Sequence, residues 1–200
     1  MSQVPPNPAG HDSAPLTGRK VLLAVTGGIA AYKSAALTSR LAQAGAEVRV
    51  IMTEAATRFV TPLTFESLSG HTVITSIWQR EQELAAQHIS LARWCDLFLV
   101  APASADHIAK LAAGLCDDIV LLTACALPRA PKTTPALLAP AMNADMWQNP
   151  ITQRNLATVR QFLGWHLVGP ETGWQACRTA GPGRMAEPET IFAAAVDLLL

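Results

Sequence analysis

The run Val21-Leu22-Leu23-Ala24-Val25 passes directly into Thr26-Gly27-Gly28-Ile29-Ala30-Ala31-Tyr32-Lys33, and this stretch decides the fold. Five consecutive apolar residues, with no polar alternation, read as a strand buried on both faces. That is the mark of a parallel sheet covered by helices. The glycine pair closes the strand and opens an apolar helical stretch, Ile29 to Ala44, which stops at Gly45. A strand–glycine–helix turn lets backbone N–H groups approach an anion at the positive end of the helix.

Outward from this unit the same alternation continues. Val48 to Met52 is a second strand, a short helix from Pro62 to Ser69 stops at Gly70, and Val73-Ile74 is a brief strand. A mixed region from Trp78 to Trp94 contains a helix beginning near His88. Leu97 to Ala101 is another fully buried strand, followed by helices at Ala105–Ala113 and Asp117–Cys125 divided by Gly114. Leu127 to Pro135 reads as a loop, Ala136–Ala139 as a strand, Ile151 to Leu163 as a helix, and His166-Leu167-Val168 as a short strand. Pro188 begins a last helix that runs to Leu200. The pattern predicts an α/β chain with a single doubly wound parallel sheet, a three-layer sandwich of flavodoxin or Rossmann type.

Residues 1–18, with Pro5, Pro6, Pro8 and Pro15 and little apolar periodicity, are expected to be a flexible leader ahead of one domain over 19–200. Gly169 to Glu187 shows neither helical nor strand period and is too long for an ordinary connection. A functional flap over about 169–187 is expected there. Half of the 200 residues are hydrophobic and 15% are charged, so part of the surface should be covered by other subunits. Acidic and basic residues cancel, which removes the electrostatic footprint of a nucleic-acid binder. No run reaches the about 18 apolar residues of a membrane span. Cys95, Cys116 and Cys125 lie in apolar patterns without metal-type spacing, so reduced, buried thiols in a cytoplasmic protein are expected and no metal site.

Four stretches carry candidate chemistry. At Gly27-Gly28-Ile29 the spacing is not Gly-x-Gly-x-x-Gly, and the second strand ends in Met52-Thr53, without the acidic residue that would hold a ribose diol. Glu54 follows one position on. A mononucleotide such as FMN is favoured over NAD. Pro102-Ala103-Ser104-Ala105-Asp106 leaves a strand's carboxyl end, where open α/β sheets bind ligands, and Ser104 and Asp106 also suit a helix cap. Pro140-Ala141-Met142-Asn143 lies between a strand and a helix, where Asn143 offers an amide donor and a carbonyl acceptor to a ligand or caps the helix. Cys177, in Ala176-Cys177-Arg178-Thr179-Ala180-Gly181-Pro182-Gly183-Arg184-Met185, is the one cysteine outside an apolar pattern, and a mobile polar flap suits a reactive thiol.

Taken together and in this order, these motifs resemble the homo-oligomeric flavin-containing cysteine decarboxylases, and among them the phosphopantothenoylcysteine decarboxylases. The resemblance runs from about Lys20 to Leu200, and Pro-Ala-Met-Asn-x-x-Met-Trp and the Cys-containing Gly-x-Gly-Arg-Met segment carry it. It implies FMN as cofactor, held by Gly27, Gly28, Ile29, Thr53, Ser104, Ala105 and Asp106. It implies His88 as a base, Asn143, Met142 and Ala176 as substrate-binding residues, and Cys177 as a proton donor. The implied reaction turns 4'-phospho-N-pantothenoylcysteine into 4'-phosphopantetheine in coenzyme A synthesis through a thioaldehyde and an enethiol. The family also implies trimers, or assemblies of trimers, with the site at a subunit interface.

Two departures stand out: Asp106-His107 replaces the family's frequent Asn-Thr, and Arg178 replaces the usual Gly after the cysteine. Two other readings belong beside the first, a peptidyl-cysteine oxidative decarboxylase and a catalytically silent FMN-binding regulatory subunit. Many bacterial members carry a C-terminal synthetase half. This chain, ending at Leu200, is therefore expected to be a separate decarboxylase or one half of a bifunctional protein.

Overall fold

The computed structural model describes residues 14–79, 87–130 and 133–200. Strand β1 (Lys20–Val25) leads into helix α1 (Ala31–Gln43), and β2 (Glu47–Met52) into α2 (Glu54–Thr57) and α3 (Pro62–Ser69). Helix α4 (Gln87–Trp94) precedes β3 (Leu97–Ala103), which is followed by α5 (Ala105–Ala113) and α6 (Ile119–Cys125). After β4 (Ala136–Pro140) come α7 (Ala144–Gln148), α8 (Pro150–Leu163) and β5 (His166–Leu167). A hairpin of β6 (Glu171–Trp174) and β7 (Ala180–Arg184) precedes α9 (Pro188–Leu199).

The five-stranded sheet has the order β2-β1-β3-β4-β5, all parallel. This is the flavodoxin-like order, and it settles the choice between the two doubly wound types expected from the sequence. The unbroken apolar run of β1 divides residue by residue between the two faces. Val21, Leu23 and Val25 join the core under α1, α3 and α9, while Leu22 and Ala24 join the core under α4, α5, α6 and α8. Burial on both faces is why no polar alternation marks these strands.

Several boundaries shift. Helix α1 begins at Ala31, because Gly28 to Ala30 form the turn that leads into it. Val73-Ile74 is reduced to a single bridge between Ile74 and Ile51. Residues 80–86 of the mixed region lie outside the described residues. So do residues 1–13 of the expected leader. Leu16, at its end, is fully buried, and its N–H donates to Ala44 O at 2.9 Å, so residues 14–18 pack on the domain.

The clearest correction is the flap. It is a two-stranded antiparallel hairpin and not an irregular loop, pairing Thr172 with Pro182 and Trp174 with Ala180. Its glycines and prolines have poor strand propensity, and cross-strand pairing and packing override that local preference. A second correction concerns the thiols. Cys95 is buried, and burial pushes its thiol up to about 12. Cys116 and Cys125 are exposed, with their sulfurs 3.0 Å apart.

Candidate functional site

A cleft of about 700 Å³ opens at the carboxyl edge of the sheet. It lies where β1 and β3 diverge, the point at which a doubly wound sheet leaves its crevice open. One wall is the turn Gly27, Gly28, Ile29 and the first turn of α1, with Tyr32 and Lys33. A second is Ser104, Ala105 and Asp106 at the start of α5. The third is Met142, Asn143 and Met146, and the hairpin residues Trp174 to Cys177 and Gly183 to Met185 close over it.

The two glycines do different things. A Cβ on Gly27 would stand 2.6 Å from the Ala55 Cβ, so this position is small to let β1 pass under α2. A Cβ on Gly28 would meet nothing within 4 Å, so this residue leaves the cleft open. The N-terminus of α1 has no side-chain cap and no acidic residue in its first turn. It therefore faces the cleft with uncompensated positive dipole, which is suited to an anion.

At α5, Ser104 Oγ accepts the His107 N–H at 3.2 Å, and the Ser104 N–H donates to Thr26 Oγ1 at 3.0 Å. Thr26 in turn donates to the Pro102 carbonyl at 2.7 Å. These bonds lock the β1 turn to the β3 turn, so the two walls hold a fixed spacing. Asp106 lies at the rim of the cleft, exposed, and pairs with Lys110 at 3.5 Å.

Asn143 is the N-cap of α7, its Oδ1 accepting the Met146 N–H at 2.8 Å. That fixes the amide orientation, because the capping atom must be the oxygen. What Asn143 offers a ligand is its NH2 group. The cap occupies one of the two lone pairs of its oxygen.

The hairpin is anchored by charge at its base. Arg184 pairs with Glu171 at 3.1 Å and with Glu187 at 2.9 Å, and Glu187 also pairs with the largely buried Lys33 at 3.0 Å. At its tip, Cys177 Sγ lies 3.0 Å from Thr179 Oγ1, and Arg178 adopts φ 65°. A glycine here would adopt the left-handed conformation without strain.

The cleft thus gathers Gly27, Gly28, Ile29, Ser104, Ala105, Asp106, Met142, Asn143, Ala176 and Cys177. It does not gather Thr53 or His88. Thr53 is buried behind the turn, where its Oγ1 accepts the Ala56 N–H and caps α2. His88 sits in the first turn of α4, in the opposite helical layer, and does not line the cleft. Sequence reasoning missed Tyr32, Lys33, Met146, Gln175 and Arg184. Lys33, a charge within an apolar helical stretch, was the one legible signal.

The Flavoprotein family model matches residues 10–200. The chain belongs to the flavoprotein family. It is 49% identical over 182 residues to the coenzyme A biosynthesis bifunctional protein CoaBC of Haemophilus influenzae, covering 91% of this flavoprotein and 44% of that relative. The chain therefore spans less than half the length of such relatives. Among solved structures it resembles a Cys-to-Ser mutant of PPC decarboxylase complexed with pantothenoylaminoethenethiol, with TM-score 0.77 and 33% identity over 88% of this chain and 96% of that one. It also resembles the FMN binding protein AtHal3, with TM-score 0.74 and 33% identity over 88% of this chain and 94% of the other.

Proposed function

We propose that this chain is an FMN-dependent carboxy-lyase that converts 4'-phospho-N-pantothenoylcysteine into 4'-phosphopantetheine and carbon dioxide, a step of coenzyme A synthesis. One observation carries the reading: an anion-receptive glycine turn, an asparagine NH2 and a hairpin thiol converge on one cleft. The likeness to PPC decarboxylase and AtHal3 supports it.

The residues present fit FMN. The cleft is within the range that holds a mononucleotide-sized ligand, and the uncapped α1 terminus suits a single phosphate. Glu54, the one acidic residue near the end of β2, is exposed at the start of α2 and does not line the cleft, so the position after β2 does not offer a carboxylate to a dinucleotide's ribose. Gly27, Gly28 and Ile29 would hold the phosphate, with Ser104, Ala105 and Asp106 along the ring system and Thr53 supporting the turn from behind. Bound FMN supplies a two-electron sink and source for the substrate's CH2–SH carbon.

The chain's own residues do the rest. The Asn143 NH2 donates to the substrate carboxylate, and Met142 and Ala176 pack beside it. His88 takes a proton as the CH2–SH group is oxidised to a thioaldehyde. With C=S β to the carboxylate, the electrons released with carbon dioxide come to rest on sulfur as an enethiolate. Cys177 then delivers a proton to carbon for the reductive half, and its thiolate recovers a proton from solvent. The hairpin excludes water from the cleft while this happens.

His88 is proposed to act in the cleft of a neighbouring protomer within a trimer or assembly of trimers. Its place outside its own cleft supports this, as do the exposed apolar side chains Ile29, Tyr32, Met146 and Trp174 around the rim. Free thiols accord with a cytoplasmic setting. Among the described residues, no helix is long and apolar enough to cross a membrane.

The test is to purify the protein, reconstitute it with FMN, add phosphopantothenoylcysteine and follow product mass. Phosphopantetheine formed over many turnovers is expected. Release of the enethiol, two hydrogens lighter, would replace this reading with the oxidative one. Protein that binds FMN without turnover would replace it with the regulatory one.

A further inference from the structure

Gln175 is a polar side chain 7% exposed, and every polar atom of its amide is used. Its Nε2 donates to the Pro182 carbonyl at 2.8 Å and the Gly181 carbonyl at 3.3 Å, both on β7. Its Oε1 accepts the Ala144 N–H at 3.1 Å, on the first residue of α7 directly after Asn143. The same oxygen accepts the Cys177 S–H at 3.6 Å. The backbone of Gln175 closes the turn around the thiol, its N–H donating to Thr179 O and its carbonyl accepting from Arg178 N, each at 2.9 Å.

We propose that Gln175 is a positioning residue for the reductive half of the reaction, holding the Cys177 thiol in register with the Asn143 end of α7. One amide oxygen bonds at once to the acid's S–H and to the backbone beside the substrate's carboxylate anchor. The hairpin's strands fix that amide from the other side. A burial this complete, for a group that costs free energy unless satisfied, would otherwise be filled by an apolar residue. The Ala144 N–H is one of the four donors that a helix start leaves without an intrahelical partner, so it is available to a latch of this kind.

The proposal rests on Cys177 being the proton donor, and the test separates the two. Three variants are compared as FMN-loaded, full-length protein: Cys177→Ser, Gln175→Leu and Ala144→Pro. Ala144→Pro removes the N–H that donates to Gln175 Oε1 and puts the ring Cδ in its place, so the latch is broken from the α7 side. Proline is tolerated at the first helical position, and Asn143 already has the extended backbone, ψ 167°, that must precede it. The readouts are the ratio of enethiol to phosphopantetheine, FMN affinity by fluorescence quenching, and melting temperature.

Cys177→Ser is expected to release enethiol almost exclusively. In Gln175→Leu and Ala144→Pro the enethiol share should rise by about fivefold or more, the size of one or two lost hydrogen bonds, with FMN affinity and carbon dioxide release retained. If Cys177→Ser shifts the ratio and the folded Ala144→Pro does not, the Gln175 proposal falls while Cys177 stands. If Cys177→Ser leaves the ratio unchanged, the reading of Cys177 itself falls. A Gln175→Leu variant that loses melting temperature and FMN together at an unchanged product ratio would make Gln175 a structural residue, and that too overturns the proposal.

Discussion

The Met142 N–H donates to the Gly183 carbonyl at 2.9 Å, and this bond seats the hairpin on the turn that presents Asn143. Gly183 has φ 120°, and a Cβ there would be driven into the Met142 carbonyl oxygen. Gly183→Ala is therefore expected to lose roughly 1–3 kcal/mol, with backbone strain and clash adding. FMN uptake should fall with it, as the hairpin lifts from the cleft. Gly28→Ala, with open space at its Cβ, should keep its melting temperature while FMN binding weakens. Chemical denaturation and flavin titration check both, and equal stability losses would show that the two glycines are not used differently.

Asn143→Asp should fold normally, because aspartate caps a helix as well as asparagine does. It exchanges the donor NH2 for a negative oxygen against the substrate carboxylate. Two like charges about 4 Å apart at an effective dielectric near 20 cost on the order of 4 kcal/mol. That is about three decades in affinity or rate. Steady-state kinetics at unchanged flavin content measure it, and near-normal kinetics would reduce Asn143 to a cap.

His88→Asn and Cys177→Ser should each abolish phosphopantetheine formation while keeping FMN. Mixed oligomers reassembled from the two inactive variants should regain activity. If His88 and Cys177 of one site come from different protomers, random mixing restores about a quarter of the sites. No recovery from verified mixed oligomers would place both residues in one protomer and remove the shared site.

Arg178→Gly should stabilise the hairpin tip. A non-glycine residue in the left-handed region costs about 1–2 kcal/mol, part of which the more flexible unfolded glycine chain offsets. A net gain of up to about 1 kcal/mol with turnover preserved is expected from thermal melts. A lowered melting temperature together with lost turnover would give the Arg178 side chain a role of its own.

Stability should fall in mild acid through His107. Burial lowers its pKa, with Asp118, whose Oδ2 lies 3.8 Å from Nδ1, opposing that shift in part, and its Nε2 is buried without a hydrogen-bond partner among the described residues. The folded state keeps the ring neutral, whereas the unfolded chain protonates it below about 6.5. The unfolded state then binds more protons, so the contribution is complete above that pH and is lost progressively as pH falls from there toward the lower folded value. His107→Gln should flatten the loss of melting temperature between pH 7 and pH 5, and an unchanged slope would assign the effect elsewhere.

The sequence determined the sheet and the faces of its helices. Strands covered on both sides must be apolar at every position, so Val21–Val25 and Leu97–Ala101 declare themselves without reference to anything distant. Helix ends marked by Pro62, Gly70, Ser104, Gly114, Gly164 and Pro188 are likewise set by local backbone chemistry. Tertiary structure alone decided the rest. The hairpin seats because Gly181 fits against Ala144 of α7 and Gly183 against the Met142 and Asn143 carbonyls just before it, which no local propensity encodes. Cys116 and Cys125 sit in an apolar pattern yet reach the surface, because a pattern does not say whether another element covers it. Gln175, Lys33 and Arg184 join the cleft, and Thr53 and His88 stay out of it, by distances between residues far apart in the chain. Which polar group meets which is fixed by how the layers close, and a linear pattern does not carry that information.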